Sequence, residues 1–325
     1  MINNTAVVLY NKLPENPEMD EIDVLNQLEE ICKSLTVLGY DVHRITFSKD
    51  LNGLMDTLKS LNPLFAFYLV ESFDDYSEYC YIANAILEYL KIPYTGGNSE
   101  TMFITSNKVL TKKLLKFHGI NTAEWFSPLE TGRIKPDERY ILKPVWEDGS
   151  VGIDDDSVFY GNNKEFVEKL SYMNPSKFYV EKYIDGREFS NSILGGPEKP
   201  MVMLPAEFVF MNFTGDKPKI LGYTAKWTED AAEYDNTPRS FDYKPEDEPI
   251  LKEIQETALK CWEYFGLKGF ARVDFRVDKN NVPYVLELNQ NPCISPDSGF
   301  VAACKRNGID YVNMIDRIVK DIRRS

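Results

Sequence analysis

Strand and helix signals alternate through about the first ninety residues, and this alternation constrains the fold more than any other feature of the sequence. Thr5 to Tyr10, Asp41 to Phe47 and the wholly apolar run Leu64 to Val70 have the composition of short strands. Between the first two, apolar residues from Val24 to Leu38 recur at helical spacing until Gly39 ends the stripe. Strands that alternate with helices form parallel βαβ units, so we predict an open parallel α/β sheet here.

The rest of the chain has a mixed pattern without a long Gly, Ser or Pro linker. A basic helix, the strand "RYILKPV", the glycine-bearing loop "WEDGSVGI" and the strand "FYVEKYI" lie before about Gly195. A polar loop from Thr228 to Asp247 and a helix from Ile250 to Phe265 then precede two strands and two terminal helices. We predict three domains that share interfaces and one cleft, over residues 1–95, 96–195 and 196–325.

The charge and cysteine content limit the partners and the compartment. The 325-residue chain has 37 Lys and Arg against 51 Asp and Glu, a formal net charge of −14. An acidic chain repels nucleic acids and anionic lipids, so neither is an expected partner. The sequence has no apolar run near the ~20 residues that span a bilayer and no signal-peptide pattern. Five scattered cysteines without a C-x-x-C pair favour free thiols, and we expect a cytoplasmic protein.

Several common catalytic motifs are missing from the sequence. His43 and His118 are the only histidines, which excludes a histidine-rich zinc site. The chain has no G-x-S-x-G elbow, no G-x-G-x-x-G fingerprint and no P-loop. If this protein binds a nucleotide, it does so by other means.

The stretch "GFARVDFRVDKNNVPYVLELNQNP" predicts a β-hairpin. Alternation separates an apolar face from a charged face on each strand, and "DKNN" has turn chemistry. We expect Val277 to face Tyr284 across this turn. In that register, Asp274 lies directly opposite Glu287.

Two carboxylates that face each other repel and destabilise a hairpin. One explanation is a hard cation, because Asp274, Glu287 and the oxygen of Asn289 are ligands that Mg²⁺ accepts. The other explanation is a solvated outer face on which Arg272 and Arg276 neutralise the acids. The spacing alone leaves both explanations open.

Two lysines lie where phosphate ligands would be useful. Lys143 is in an otherwise apolar strand, and it needs an anionic partner because burying its charge alone is expensive. A structural role at a strand end is the alternative. Lys108 shares its helix with Lys112, Lys113 and Lys116, and we expect most of these lysines to be solvated.

The loop "GSVG", the strand "VEKYIDGRE" and a cysteine are weaker signals. Backbone N–H groups of the loop could cradle a phosphate, although an ordinary turn explains it more simply. Glu181 and Tyr183 share one strand face, where edge donors and acceptors could hold an adenine, with Glu188 on a ribose. Cys293 has no base or cation nearby in sequence, so we expect a backbone role there and not a nucleophile.

Seven motifs follow one another from about Ile92 to Phe300: "IPYTGGN", "NKVLTKKLL", "YILKPVWEDGSVGI", "VEKYIDGREFS", "AKW", "GFARVDF" and "LELNQNPCISPDSGF". In order and spacing they resemble the ATP-grasp superfamily, specifically its D-alanine–D-alanine ligase branch. The resemblance implies an α/β (α+β ATP-grasp) fold. In it, an N-terminal open parallel α/β domain precedes two α+β domains that clasp ATP.

The resemblance also implies roles for the matching residues. It implies ATP contacts from Lys108, Lys143 and Ser150 at the phosphates, Glu181, Lys182 and Ile184 at the adenine, and Glu188 at the ribose. It implies that Asp274, Glu287 and Asn289 hold two Mg²⁺ ions, for which Mn²⁺ is an alternative. It implies that Arg272 and the backbone N–H of Cys293 stabilise an oxyanion, that Lys226 lies on a closing loop, and that Ser298 and Gly299 contact a substrate.

The sequence departs from this branch where an amino acid would bind. The branch opens with G-G-x-S-x-E-x-x-V-S, whose acid anchors the first substrate's ammonium, and Glu21 is the candidate replacement here. Gly149 stands where the branch has a serine, Trp227 where it has a tyrosine, and Cys293 where it has a glycine. The phosphate and metal motifs are intact.

We therefore predict an ATP- and Mg²⁺-dependent carboxylate–amine ligase that forms an amide through an acyl phosphate. Its expected substrates are amino acids or small peptides, and D-alanine is expected to be a poor substrate or none. A true D-alanine–D-alanine ligase is the first alternative. An inactive nucleotide-binding regulatory scaffold is the alternative from another class. The sequence leaves the substrate's chirality open, and it leaves open whether the protein is a homodimer.

Overall fold

The computed structural model describes residues 3–228 and 230–322, which form three sheets. The first sheet is parallel and has the strand order β2–β1–β3, as the alternation of strand and helix signals predicts. Its elements are β1 (Thr5–Asn11), α1 (Met19–Val37), β2 (Asp41–Phe47), α2 (Leu51–Leu61), β3 (Phe65–Leu69) and α3 (Tyr81–Tyr89).

Strand β1 is buried on both faces, which explains its unbroken apolar sequence. Val7 and Leu9 belong to a core that includes residues of α2 and α3. Ala6 and Val8 belong to a second core that includes α1 and residues of the C-terminal helices. This second core is continuous, so α1 is held against the C-terminal part of the chain.

Two helices, α4 (Ser99–Ser106) and α5 (Lys108–Phe117), connect the first sheet to a four-stranded antiparallel sheet. Asn107 caps α5, because its side chain accepts a hydrogen bond from the backbone of Leu110 (2.9 Å). The second sheet has the order β4–β7–β5–β6. Its elements are β4 (Trp125–Phe126), β5 (Arg139–Pro144), β6 (Val158–Tyr160), α6 (Lys164–Leu170) and β7 (Phe178–Lys182).

The third sheet has the order β11–β10–β8–β12–β13, with β9 paired to β8. Its elements are β8 (Gly186–Leu194), β9 (Met201–Val202), β10 (Ala206–Phe208), α7 (Tyr223–Trp227), α8 (Ala232–Asp235), β11 (Arg239–Ser240), α9 (Glu248–Tyr264), β12 (Phe270–Asp278), β13 (Pro283–Asn289), α10 (Gly299–Arg306) and α11 (Tyr311–Ile322). Strand β8 lies inside the range predicted for the central domain, yet it pairs along its whole length with β12. The sheets therefore divide the chain before Gly186, and the three domain ranges themselves stay a prediction.

The hairpin register agrees with the prediction at one end and differs at the other. Asp274 lies opposite Glu287, as predicted. A bulge leaves Leu286 unpaired, so Val277 lies opposite Pro283 and not opposite Tyr284. Because of this extra residue, Val285 and Leu288 both enter the core beneath the sheet, although strict alternation predicts opposite faces.

Two further predictions concern the chain as a whole. The five cysteines all lie within the described residues, and all are free thiols, as predicted. In residues 3–228 and 230–322, none of the helices combines the length and apolar character that crossing a membrane requires.

Candidate active site

A cleft of about 440 Å³ lies where α1, the glycine-rich loop and the third sheet meet. Half of the predicted site residues line it, and the other half lie behind its walls or away from it. Those that line it are Glu188, Lys226, Arg272, Asp274, Asn289, Cys293, Ser298 and Gly299. Those that do not are Glu21, Lys108, Lys143, Ser150, Glu181, Lys182, Ile184 and Glu287.

Arg272 and the opposed carboxylates of the hairpin form one charged cluster in the wall of the cleft. Nε and Nη2 of Arg272 donate to both oxygens of Asp274 at 2.8 to 3.0 Å, and Nη2 lies 3.7 Å from Glu287. Burial would lower the pKa of Arg272, but Asp274 and Glu287 raise it. The repulsion between the two carboxylates is therefore offset within the protein.

Lys108 of α5 adds a second cation to this cluster. Its ammonium is 4% exposed and donates to Asp148 (2.6 Å) and to the carbonyl oxygen of Glu147 (2.6 Å), and it lies 3.3 Å from Glu287. Burial would raise the pKa of Glu287, but Lys108, Lys226 and Arg272 together hold it well below its usual value. Glu287 is therefore ionised at neutral pH. The alternative explanation, a solvated outer face, does not fit this structure, because Asp274 and Glu287 are mostly buried.

Asp274, Glu287 and Asn289 fit part of a magnesium site. Within the described residues, three or more His, Cys, Asp or Glu side chains do not converge anywhere as a metal cluster. Magnesium needs no such cluster, because it usually binds one or two carboxylates together with waters and substrate phosphates. The hairpin supplies two carboxylates and one amide. The carboxylates pair with Arg272 and Lys108, and the amide oxygen of Asn289 accepts a hydrogen bond from the backbone of Asn291 (2.8 Å).

Lys143 has a protein partner, and so does a lysine that the sequence reasoning missed. Nζ of Lys143 donates to Glu181 (2.7 Å), and the wholly buried Lys112 pairs with the other oxygen of Glu181. Burial would raise the pKa of Glu181, but Lys112 and Lys143 lower it. Most of the α5 lysines were expected to be solvated; Lys113 and Lys116 are exposed, but Lys108 is buried and so is Lys112. It lies four residues after Lys108, on the same face of α5, and that spacing is a signal the sequence already contained.

The other residues predicted to bind the nucleotide are more exposed. Lys182 pairs with Glu138 (2.9 Å), and Ile184 is half-buried beyond the end of β7. Glu188 lines the cleft and pairs with Arg276 (3.3 Å), which is the arginine expected to neutralise the hairpin acids. Burial raises the pKa of Glu188.

The acid that reaches the cleft from α1 is Asp23 and not Glu21. Glu21 accepts a hydrogen bond from the backbone of Glu18 (2.8 Å) at the start of the helix, outside the cleft. Asp23 is two residues further, about 200° around the helix, and its oxygens accept from Ser295 (2.6 Å) and from the thiol of Cys293 (3.0 Å). The prediction for Glu21 is therefore corrected to Asp23.

Cys293 is a poor nucleophile in this setting. Burial and the neighbouring Asp23 raise the pKa of its thiol, so the thiol stays protonated and donates to Asp23. Ser298 caps α10 by accepting from the backbone of Val301 (3.3 Å), and it lines the cleft beside Gly299.

Two hydrogen bonds join the glycine-rich loop to the segment that carries Lys226. The hydroxyl of Ser150 donates to the carbonyl of Leu221 (2.6 Å), and Nε1 of Trp227 donates to the carbonyl of Gly149 (2.9 Å). Burial and the nearby Arg272 lower the pKa of Lys226. Beyond Trp227, the segment predicted as a polar loop contains α8 and β11.

Comparisons with known proteins identify the family of this chain. The family model of the D-ala D-ala ligase C-terminus matches residues 116–320. The chain belongs to this ligase family. A D-alanine–D-alanine ligase of Carboxydothermus hydrogenoformans is 30% identical over 306 residues, which cover 90% of each chain. One of Aquifex aeolicus is 28% identical over 303 residues, 89% of this chain and 92% of the relative.

Solved structures of this ligase family share the fold. A D-alanine–D-alanine ligase of Bacillus anthracis superimposes with a TM-score of 0.76 at 22% identity, over 98% of this chain and 97% of the other. D-alanyl-alanine synthetase A of Vibrio cholerae gives 0.77 at 16% identity, over 100% of both chains. The ATP-grasp resemblance, the α/β fold class and the enzyme class, an ATP-dependent ADP-forming ligase, are thereby confirmed.

Proposed function

We propose that this ligase joins the carboxylate of an amino acid or small peptide to the amine of a second one, and that D-alanine is a poor substrate or none. One observation carries the proposal. The cleft has the charged hairpin cluster on one side and the Asp23–Cys293–Ser295 cluster on the other. The first side has the residues that phosphate chemistry needs, and the second differs from the branch of D-alanine ligases.

On the phosphate side, Lys108 and Lys143 would bind the phosphates of ATP, with Ser150 in the glycine-rich loop. Glu181, Lys182 and Ile184 would contact the adenine, and Glu188 the ribose. Asp274, Glu287 and Asn289 would hold two Mg²⁺ ions, or Mn²⁺ in their place. Bound there, the ions would neutralise phosphate charge.

At the reacting carbon, Arg272 and the backbone N–H of Cys293 would stabilise the oxyanion of the tetrahedral intermediate. Charge stabilisation by groups already held in position is usually the largest contribution to catalysis. Arg272 is held by Asp274 in three hydrogen bonds, so its guanidinium is already oriented. Lys226 and the segment after it would exclude water, which otherwise hydrolyses an acyl phosphate.

On the amino-acid side, Asp23 would bind the ammonium of the first substrate. An ionised carboxylate has about four acceptor positions; Cys293, Ser295 and Gln27 occupy three of those on Asp23, and Nδ2 of Asn26 lies 3.5 Å away. The thiol of Cys293 and the shorter acid alter the shape and polarity of this subsite. A site built to hydrogen-bond one substrate rejects analogues that leave its polar groups unpaired, so we expect a different amino acid to be preferred.

A D-alanine–D-alanine ligase is the second candidate. It is favoured by the names of the relatives, which are 28% and 30% identical over about nine tenths of this chain. Under this alternative, Asp23 and Ser298 would make the ammonium and carboxylate contacts to D-alanine.

The deciding experiment is a phosphate-release screen of the purified enzyme with ATP and Mg²⁺ over D- and L-amino acids, singly and in pairs. We expect release with a pair other than D-alanine with itself. Arg272→Met should abolish that release, which excludes a contaminating ATPase. Turnover of D-alanine alone at roughly 10 s⁻¹ or faster would contradict the proposal and favour the second candidate.

The proposal also concerns partners and location. Its partners are small molecules, and the enzyme would work in the cytoplasm, where ATP is available. A homodimer remains a prediction that light scattering would test.

A further inference from the structure

Arg239 brings a positive charge to the cleft from the edge of the third sheet. It belongs to β11 and lies directly opposite Phe208 of β10. Residues directly opposite each other in an antiparallel pair share a face of the sheet, and both Arg239 and Phe208 line the cleft. The neighbouring acid Glu207 faces the other way, where both its oxygens bind Arg187 at 2.7 Å.

The guanidinium of Arg239 has little to bind within the protein. Its Nε is buried and has no hydrogen-bond partner among the described residues. Its Nη1 lies 3.4 Å from the carbonyl oxygen of Asp297, which is longer than the usual range of about 2.7 to 3.2 Å for such a bond. Arg272, which also lines the cleft, has a close carboxylate partner in Asp274 (2.8 Å).

Its surroundings make this arrangement costly without a ligand. Burial lowers the pKa of Arg239, and so does the nearby Arg272, while Asp297 offsets this only in part; yet arginine stays protonated in proteins. A charged group that loses water needs a partner of opposite charge. An anion in the cleft would supply that partner.

The position of Arg239 indicates which anion this is. An added Cβ at Gly299 would lie 3.4 Å from Nε and 3.5 Å from Cζ of Arg239, so the guanidinium lies against the start of α10. Ser298, the residue predicted to contact a substrate carboxylate, caps that same helix. A carboxylate beside Ser298 would therefore lie beside Arg239.

We propose that Arg239 binds the α-carboxylate of the amine substrate and so selects amines that are themselves amino acids. This inference rests on the proposed function. The planar guanidinium suits a carboxylate because two of its N–H groups can donate in parallel. The α-carboxylate is one carbon away from the reacting nitrogen, so binding it would also orient that nitrogen toward the acyl phosphate.

The test uses the most active pair from the phosphate-release screen. Its second amino acid is compared with the matching α-carboxamide, which keeps the amine and loses the charge. We expect the wild-type enzyme to prefer the free acid to the carboxamide. Arg239→Gln should raise the KM for the free acid on the order of 10- to 100-fold, while the KM for ATP stays constant. Arg239→Lys, which retains the positive charge, should raise the KM for the free acid less than Arg239→Gln does.

Arg306→Gln is the matched control, because Arg306 is exposed on α10, donates to the carbonyl of Phe241 and lies outside the cleft. It should leave every KM unchanged. An unchanged KM for the free acid in Arg239→Gln, with turnover intact, would overturn the inference and leave the ligase proposal standing. A second comparison uses a dicarboxylic amino acid and its side-chain amide as amine substrates. If Arg239→Gln raises the KM only for the substrate with a side-chain carboxylate, the inference is also overturned. No release with any pair would overturn both.

Discussion

The two sides of the cleft differ in how their charges are satisfied. On the phosphate side, Lys108, Arg272, Asp274 and Glu287 bind one another, so the cluster is nearly neutral and held in position. On the amino-acid side, Nε of Arg239 is buried and has no hydrogen-bond partner among the described residues. The first side therefore has its geometry before any ligand arrives, whereas the second is completed by the ligand.

This contrast has a physical consequence for specificity. A network whose members are already paired orients its groups at little further cost, which suits a step common to many substrates. A side with an unpaired charge discriminates, because a ligand without the matching group leaves that charge unpaired. We therefore expect variants of the first side to affect every reaction, and variants of the second side to affect particular substrates.

The largest effect is expected from the hairpin carboxylates. Asp274→Asn and Glu287→Gln should each lower phosphate release by at least about 100-fold with every substrate pair, because charge stabilisation of the reacting phosphate is lost. The exposed Glu263→Gln is the control. Circular dichroism should show an intact fold. Wild-type activity in both carboxylate variants at low millimolar Mg²⁺ would remove the metal site from the proposal.

The buried Lys112 on the phosphate side tests whether paired charges there contribute to the stability of the fold. Lys112→Met should lower the free energy of unfolding by about 3 kcal/mol, because it leaves the buried Glu181 with Lys143 as its one remaining cation. Urea unfolding measures this loss. Lys113→Met changes the exposed neighbour on the same helix and should cost little. Equal stability of the two variants would mean that the buried pair contributes nothing.

Asp23 tests the amino-acid side directly. Asp23→Asn should raise the KM for the carboxylate-donating amino acid by roughly 10- to 100-fold, because a charged hydrogen bond to its ammonium is weakened. The KM for ATP should not change. Glu21→Gln, two residues away in α1, is the control and should behave as wild type. If the two variants exchange these results, Glu21 reaches the substrate after all.

The smallest effect is expected at the hydrogen bond between Trp227, at the end of α7, and the glycine-rich loop. Trp227→Phe removes the hydrogen bond to the carbonyl of Gly149, which contributes about 1 kcal/mol. We expect cleavage between residues 228 and 247 to be several-fold faster in limited proteolysis of this variant. ATP together with substrate should suppress cleavage in wild-type enzyme. Equal cleavage with and without ligands would contradict the proposal that the segment after Lys226 closes and excludes water.

The bulge in the β12–β13 hairpin shows where sequence reasoning stops within a single element. Alternation of apolar and charged residues predicted that Asp274 lies opposite Glu287, because that pairing keeps each face uniform. It did not predict the unpaired Leu286. An extra residue is favoured only when the core beneath accepts both Val285 and Leu288, and that core is built from distant segments.

Asp23 and Lys112 show the same limit between elements. Helical spacing allowed either Glu21 or Asp23 to reach a cleft, and only the docking of α1 beside residues 293–295 selects Asp23. In the sequence, Lys112 is one of four lysines of a basic helix. Its burial follows from the ion pair with Glu181, which β7 brings next to it. Local pattern does not identify the partner in either case, because each partner lies far away in the chain.

The sequence by itself determined the parallel βαβ start, the charged hairpin face and the motif order of an ATP-dependent ligase. These follow from the periodicity of strands and helices and from chemistry confined to short motifs. The tertiary structure decided which acid enters the cleft, which lysines are buried and which arginine of the cleft has a buried Nε without a partner among the described residues. A side chain's charge is local, but its partner and its loss of water are set by segments that meet only when the chain folds.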